Sequence, residues 1–156
     1  RDYYASRGLG DVYKRQGYTF DRDSAAGVEQ HKKLLAYTDL VLLDIKHIDT
    51  EGHKKVTGKG NEHTLAFARF LSDNGVPMWI RHVLVPDLTD EDEALKRLKA
   101  FIDTLKTVEK VEVLPYHTMG EVKYEKLGYA YPLKGVQPPT AERVKNAKRI
   151  LGILKE

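Results

Sequence analysis

The stretch TDLVLLDIKHID, residues 38–49, decides the fold. Its run 40–45 is almost entirely apolar and lacks polar alternation, which is typical of a parallel strand covered on both faces. Asp44 and Lys46 lie at the end of this run. Residues two apart on a strand point the same way, and parallel α/β folds bind ligands at the carboxyl ends of their strands. The pair therefore predicts a site for a zwitterionic small molecule, with a local salt bridge as the alternative interpretation.

Helices and strands alternate on both sides of this stretch. Strands are predicted at 40–45, 78–85 and 111–114, and helices at 24–37, 61–74, behind the T-D-E-D capping box at 89–92, and at 140–154. Gly75 and Pro77 stop the second helix. The order α-β-α-β-α-β-α predicts an α/β fold whose parallel strands are joined by right-handed crossovers.

Composition restricts the function classes. The 156 residues are 41% hydrophobic and 31% charged, with 26 basic and 23 acidic side chains and a net charge of +3. Bases and acids are interspersed, so no nucleic-acid footprint is predicted. No apolar run approaches ~20 residues, so no membrane span is predicted. The chain has no cysteine, which leaves it without a thiolate nucleophile or a thiolate ligand for an iron–sulfur cluster.

The other two strands also carry polar groups near their ends. Arg81 and His82 lie within the second strand, which runs into Pro86 and Asp87, and His117 follows the third strand in LPYHTMG. Each has an ordinary structural interpretation: Arg81 as the partner of a buried acid, and His117 as a loop cap. Their placement at corresponding strand ends favours one shared site.

Three stretches resemble one family: TDLVLLDIKHID, VPMWIRHVLVPDLTDEDE and VEKVEVLPYHTMGEVKYEKLGYAYPLKGVQPPT. Their motifs D-I-K, W-I-R-H-V-L-V-P and L-P-Y-H resemble, in order and interval, the C-terminal half of the pyruvate formate-lyase activating enzymes, which are radical S-adenosylmethionine (SAM) enzymes. The resemblance covers about 17–154. It implies an α/β fold of parallel strands alternating with helices, as the C-terminal half of a partial (β/α)6, TIM-like barrel.

The resemblance also implies roles for individual residues. Those matching family positions around SAM are Asp44, Lys46, Arg81, Val83, Leu114 and His117. Asp44 belongs with the amino-acid end and a monovalent-cation site, Lys46 with the carboxylate, and Leu114 and His117 with the adenine and ribose. No catalytic residue is expected in this chain, because the family's C-x-x-x-C-x-x-C loop and G-G-E strand are not present. One departure is Asp87, where the family usually has glycine.

The implied activity is formation of a glycyl radical on pyruvate formate-lyase, with SAM and a [4Fe–4S] cluster as cofactors. Flavodoxin or ferredoxin is the implied electron donor, and an anaerobic cytoplasm the implied location. The chain by itself is expected to be inactive. Two alternatives stay open: an activase of another glycyl-radical enzyme, and a stand-alone, non-catalytic α/β module that binds a small molecule.

The match begins abruptly at Gly17. Lys14 and Arg15 stand where the family's D-T-x-G-Y strand has its Asp and Thr. Residues 1–16 are therefore predicted to be a non-native, artefactual segment, and 17–156 the family-related part. Native DNA that encodes 1–16 in frame before Gly17 would contradict this interpretation.

Overall fold

A computed structural model describes residues 20 and 23–154 of the chain. Its strands are β1, Val41–Asp44, β2, Met78–Leu84, and β3, Val108–Pro115. Its helices are α1, Ala25–Leu35, α2, Thr50–Thr57, α3, Glu62–Asp73, α4, Asp92–Ile102, α5, Glu121–Lys126, and α6, Ala141–Ile150, with a 3-10 turn at Thr118–Gly120.

The three strands form one parallel sheet in the order β1-β2-β3. Asp44 is the register partner of Arg81, and Val83 is the partner of Leu114. Each crossover between neighbouring strands contains at least one helix, as parallel pairing requires. The predicted α/β class with parallel strands is confirmed.

The two faces of the sheet differ in burial. Along β2, Met78, Ile80, His82 and Leu84 are buried and alternate with half-buried residues. The buried face belongs to a core that also contains fully buried leucines of α3 and α4, namely Leu71, Leu95 and Leu98. The other face carries Trp79, Arg81 and Val83, and it is only partly covered. Polar groups on that face can therefore meet a ligand without being removed from water completely.

Several local signals read from the sequence are confirmed. The Ser24 hydroxyl accepts a hydrogen bond of 3.1 Å from the Gly27 N–H and caps α1. The Thr140 hydroxyl accepts from the Arg143 N–H at 3.1 Å and caps α6. Gly75 has a φ of 71°, which suits a residue that ends a helix in the left-handed region. Short-range chemistry therefore set these boundaries.

The predicted capping box at 89–92 is wrong. Helix α4 begins at Asp92 with Glu91 in the cap position, and Thr89 lies in the preceding loop. The Thr89 hydroxyl donates to the Val83 carbonyl at 2.6 Å and accepts from the Val85 N–H at 2.8 Å. Its side chain therefore ties the end of β2 to the loop, and tertiary contacts replaced the local cap.

Two helices were missed and one strand was predicted too short. Helix α2 has the polar sequence TEGHKKVT, and α5 the short, charged sequence EVKYEK, so neither shows a clear apolar stripe. Within α2, a Cβ at Gly52 would clash with the His47 ring, which explains a glycine inside a helix. Strand β3 extends from Val108 to Pro115, well beyond the predicted 111–114.

The predicted foreign segment, residues 1–16, lies outside the described residues, so its boundary stays a prediction. Within residues 23–154, every helix is too short or too polar to pass through a lipid bilayer.

Asp87 has a φ of 62°, in the left-handed region that L-residues other than glycine rarely adopt. We expect Asp87→Gly to raise the free energy of unfolding by about 0.5–1 kcal/mol, because glycine has no Cβ to strain there. Asp103, whose φ is −66°, gives the control: Asp103→Gly should lower that free energy instead. Urea unfolding followed by circular dichroism measures both. A loss of stability in Asp87→Gly would contradict the expectation.

Candidate functional site

The candidate site is a cluster of three charged side chains where the carboxyl end of β1 meets the middle of β2. The Arg81 Nε donates to Asp44 Oδ1 at 2.6 Å, and the Lys46 Nζ donates to Asp44 Oδ2 at 2.9 Å. Parallel register places Arg81 beside Asp44, and the two-residue spacing brings Lys46 back to the same side. The structure thus brings together three of the residues that the sequence analysis assigned to one ligand.

These ion pairs are about one third exposed and can exchange partners at little cost. The side chains of Lys46, Arg81 and Asp44 are 33%, 32% and 31% exposed. Such partly solvated pairs contribute about 0–1 kcal/mol each. A ligand carboxylate can therefore bind Lys46 and Arg81, and a ligand ammonium can bind Asp44, without breaking a strong internal interaction. Two cations around one carboxylate leave the cluster with a net positive charge.

The remaining predicted residues lie on or beyond the same face of the sheet. Val83 and Leu114 are register partners and form an apolar surface one step beyond Arg81. Leu114 is 36% exposed. His117 follows β3 in extended backbone and is exposed before the 3-10 turn. The predicted set therefore continues from charged groups on β1 and β2 to apolar and ring-bearing groups near the end of β3.

Two features of this face were not predicted from the sequence. Glu112 is the register partner of Arg81 and pairs with Lys110 at 2.6 Å. Lys110 Nζ also lies 4.4 Å from the centroid of the Trp79 ring, a cation–π contact. The alternation of Lys110, Glu112 and Leu114 along β3 was the signal that could have placed them here.

A second layer of hydrogen bonds lies behind the charged cluster. The Ile45 N–H donates to the Arg81 carbonyl at 3.0 Å. The ring of His82 reaches the Ile45 carbonyl with Nδ1 and the Thr89 carbonyl with Nε2, both at 2.9 Å. Ile45, which separates Asp44 from Lys46, is therefore contacted through both its N–H and its carbonyl oxygen.

The loop that leaves the site is fixed by Asn61, which is 1% exposed. Its Nδ2 donates to the carbonyls of His47, at 3.2 Å, and Ile48, at 2.5 Å. Its Oδ1 accepts from the Thr50 hydroxyl at 3.0 Å. The buried amide of Asn61 thus donates to and accepts from the segment 47–50, which follows Lys46.

A separate open cleft of about 810 Å³ is lined by the loops after β1 and β2 and by residues of α2, α4 and α6. It does not contain the Asp44 cluster. Several of its charged groups are already paired: Arg143 with Asp90 and Asp92, and Asp49 with Arg97. Its lining is His47, Asp49, Glu51, Gly52, Lys55, Asp87, Leu88, Asp90, Glu91, Asp92 and Arg143.

His82 is expected to make stability depend on pH. Burial lowers its pKa below the ordinary value of 6.5; the bonds to Thr89 and Ile45 oppose this shift, and His47 and Lys46 reinforce it. A base with a lowered folded-state pKa stabilises the fold above its unfolded pKa, and that contribution is lost as the pH falls. Between about pH 7.5 and 5.5, the free energy of unfolding should fall by about 1 kcal/mol from this residue.

Urea unfolding of the wild type and of His82→Phe at both pH values isolates this effect, because phenylalanine does not titrate. The wild type should lose more stability than the variant on acidification. Equal losses in the two proteins would exclude His82 as the source.

The fold and the site define a class: an α/β protein of parallel strands with a charged cluster at the strand ends. Two solved structures share this fold. A domain of a pyruvate-formate lyase-activating enzyme from Bacteroides vulgatus matches 83% of this chain and 70% of its own, with a TM-score of 0.65 and 21% identity. A radical SAM methyltransferase from Sphaerobacter thermophilus matches 81% of this chain and 35% of its own, with a TM-score of 0.57 and 15% identity.

Sequence relatives narrow the class. The chain is similar to three pyruvate formate-lyase-activating enzymes. The enzyme of Streptococcus mutans is 57% identical over 83% of this chain, and that of Staphylococcus epidermidis is 52% identical over 81%. The enzyme of Listeria monocytogenes is 47% identical over 86% of this chain. Over more than four fifths of its length, the chain is therefore similar in sequence to pyruvate formate-lyase-activating enzymes. It spans about half the length of these relatives, 49%, 51% and 54%. No family model matches the chain.

Proposed function

We propose that this chain is the SAM-positioning part of an enzyme that generates a glycyl radical on pyruvate formate-lyase. The observation that supports the proposal most directly is the Asp44–Lys46–Arg81 cluster, with bonds of 2.6 and 2.9 Å, in a chain 57% identical to such an enzyme. Asp44 binds the ammonium of the methionine end, and Lys46 binds its carboxylate. Arg81 holds the Asp44 carboxylate in place.

The residues present fit SAM. Its zwitterionic end matches the cluster, and its adenosine matches the surface that runs from Val83 and Leu114 towards His117. When bound, SAM and the [4Fe–4S] cluster supply the radical chemistry. Asp44 is also the candidate ligand of a monovalent cation, because an ionised carboxylate has about four acceptor positions. Lys46 and Arg81 use one bond each on its two oxygens.

The residues present do not fit a [4Fe–4S] cluster. The chain has no cysteine, and residues 23–154 contain no group of three His, Asp or Glu side chains able to hold a metal ion. We therefore propose that the cluster ligands belong to the part of the relatives' length that this chain does not span. In this proposal the described sheet is the C-terminal half of a partial (β/α)6 barrel, and the isolated chain is inactive.

The natural setting proposed is the cytoplasm of an anaerobic cell, with flavodoxin or ferredoxin as electron donor. Of the two alternatives, an activase of another glycyl-radical enzyme would use the same Asp44–Lys46–Arg81 site for SAM. Only its target protein would therefore distinguish it from an activase of pyruvate formate-lyase. A stand-alone binding module would hold a zwitterion without any radical chemistry.

A hybrid enzyme tests the proposal. The chain replaces the matching half of the Streptococcus mutans relative, and the product is reconstituted anaerobically with iron and sulfide. With SAM, a reductant and pyruvate formate-lyase, the hybrid should give the electron paramagnetic resonance signal of a glycyl radical, and the chain alone should give none. Lys46→Ala should raise the KM for SAM about tenfold, from the loss of one charge-assisted bond.

Lys59→Ala, which removes an exposed loop lysine, is the matched control and should leave KM unchanged. A folded, cluster-containing hybrid that forms no glycyl radical on pyruvate formate-lyase would overturn the proposal. A signal on a different glycyl-radical enzyme would favour the first alternative.

A further inference from the structure

Ile45 links the two ligand-binding residues Asp44, the last residue of β1, and Lys46, which lies just beyond the strand. Ile45 is fully buried, at 0% exposure, so its side chain faces the core while Asp44 and Lys46 face the open side. Its N–H is bonded to the Arg81 carbonyl at 3.0 Å. Any rotation of the next peptide unit would turn Lys46 away from Asp44, so the orientation of the Ile45 carbonyl controls the geometry of the pair.

That carbonyl is contacted by the ring of His82, which is 2% exposed. Both ring nitrogens face carbonyl oxygens, Nδ1 towards Ile45 and Nε2 towards Thr89. Carbonyls only accept hydrogen bonds, and a neutral imidazole donates from one nitrogen alone. The position of a single proton therefore decides which of the two carbonyls is held.

We propose that His82 is a positioning residue of the SAM site: it carries a proton on Nδ1, donates it to the Ile45 carbonyl, and thereby fixes Asp44 and Lys46 for the ligand. The proposal rests on the proposed function for the identity of the ligand. The hydrogen bond itself is independent of that function and can be tested without any ligand.

The Thr89 side of the ring has its own support. The Thr89 hydroxyl bridges the Val83 carbonyl and the Val85 N–H, at 2.6 and 2.8 Å, so this loop stays attached to β2 without help from the ring. The Ile45 carbonyl lies just beyond the last residue of β1, where the strand ladder ends. The Ile45 carbonyl therefore depends on a donor at Nδ1 more than the Thr89 loop depends on a donor at Nε2.

Two substitutions separate the ring nitrogens. The amide nitrogen of asparagine occupies the position of His Nδ1, and that of glutamine the position of Nε2. His82→Asn therefore keeps the donor to Ile45, whereas His82→Gln keeps only the donor to Thr89. Both variants leave an amide in the same buried place, which makes each the control for the other.

The experiment uses nuclear magnetic resonance of the whole chain. Long-range proton–nitrogen spectra should show a proton on Nδ1 of His82. In His82→Gln, hydrogen exchange of the Ile45 amide and of the Arg81 Nε–H should accelerate about tenfold relative to the Tyr116 amide, which is bonded to the Leu84 carbonyl. In His82→Asn both rates should stay within about twofold of the wild type.

His53→Gln controls for the loss of any buried histidine, because His53 is 7% exposed and its Nδ1 contacts the Lys59 carbonyl at 2.8 Å. It should leave the Ile45 and Arg81 rates unchanged. The proposal would be overturned if Nδ1 of His82 carried no proton in the wild type. It would also be overturned if the Ile45 amide exchanged as slowly in His82→Gln as in His82→Asn. If either variant fails to fold, the proton position still tests the proposal, because it is measured on the wild type.

Titration with SAM separates the two proposals. Affinity lost about tenfold in His82→Gln and retained in His82→Asn supports the positioning role at the ligand. If neither the wild-type chain nor the hybrid binds SAM, the proposed function fails, while the proton position and the exchange rates still decide the role of His82.

Discussion

Replacing Asp44 by alanine is expected to weaken SAM binding by the hybrid enzyme about tenfold to a hundredfold. Asp44 is the one acid between two cations, with Arg81 at 2.6 Å and Lys46 at 2.9 Å. Its loss removes the partner for the ligand ammonium and a charge-assisted bond worth about 1.5–3 kcal/mol. It also leaves Lys46 and Arg81 facing each other, so both side chains move away from the positions that a ligand carboxylate needs.

Folding should suffer much less than binding. The three side chains are about a third exposed, so water replaces much of the lost interaction, and we expect a decrease of about 1 kcal/mol or less in the free energy of unfolding. Isothermal titration with SAM measures the first effect and urea unfolding the second. Asp103→Ala, which breaks the exposed Lys99–Asp103 pair, is the control for removing an acid and should leave affinity unchanged. Unaltered affinity in Asp44→Ala would remove Asp44 from the site.

The largest expected effect on stability is that of Asn61→Ala, a decrease of about 2–3 kcal/mol in the free energy of unfolding. Asn61 is 1% exposed and bonds to the His47 and Ile48 carbonyls and to the Thr50 hydroxyl. Alanine leaves these groups without their partner in a region that water does not reach easily. Each unsatisfied buried polar group costs about 1–3 kcal/mol, and partial relaxation of the loop recovers some of that cost.

Asn146→Ala provides a matched control, because Asn146 uses the same amide for one bond of 3.1 Å to Asp92 in an exposed position. It should change the free energy of unfolding by about 0.5 kcal/mol or less. Urea unfolding at a single pH compares the two variants. If they lose similar amounts, the buried amide does not fix the loop after β1 as its contacts imply.

Several features could be read from the sequence because they depend on neighbours along the chain. Ser24, Gly75 and Thr140 mark helix ends through bonds or backbone angles that span a few residues, and the sequence predicted a helix boundary at each of them. The apolar run before Asp44 and the strand-favouring run 78–85 gave two parallel strands. The two-residue spacing of Asp44 and Lys46 was enough to place both side chains on one side.

Other features had no local signal. The role of Thr89 was mispredicted because its sequence neighbourhood suits a helix cap, while the strand end it actually holds is several residues away. Helix α2 was missed because its sequence TEGHKKVT is polar and contains a glycine, and the His47 ring that lies against Gly52 is not part of the helix. Asn61 gained its importance only from partners in the loop after β1, and Glu112 was placed beside Arg81 only by the register of β2 and β3.

The sequence by itself determined the α/β class, the parallel strands and the residues at the strand ends, because hydrophobic periodicity and caps act over short distances. Only the tertiary structure decided that Arg81 bonds Asp44, that Val83 meets Leu114, and that His82 lies behind Ile45. Register between strands brings together residues about 37 positions apart, such as Asp44 and Arg81. That register follows from how the whole core packs, which no single stretch of sequence contains.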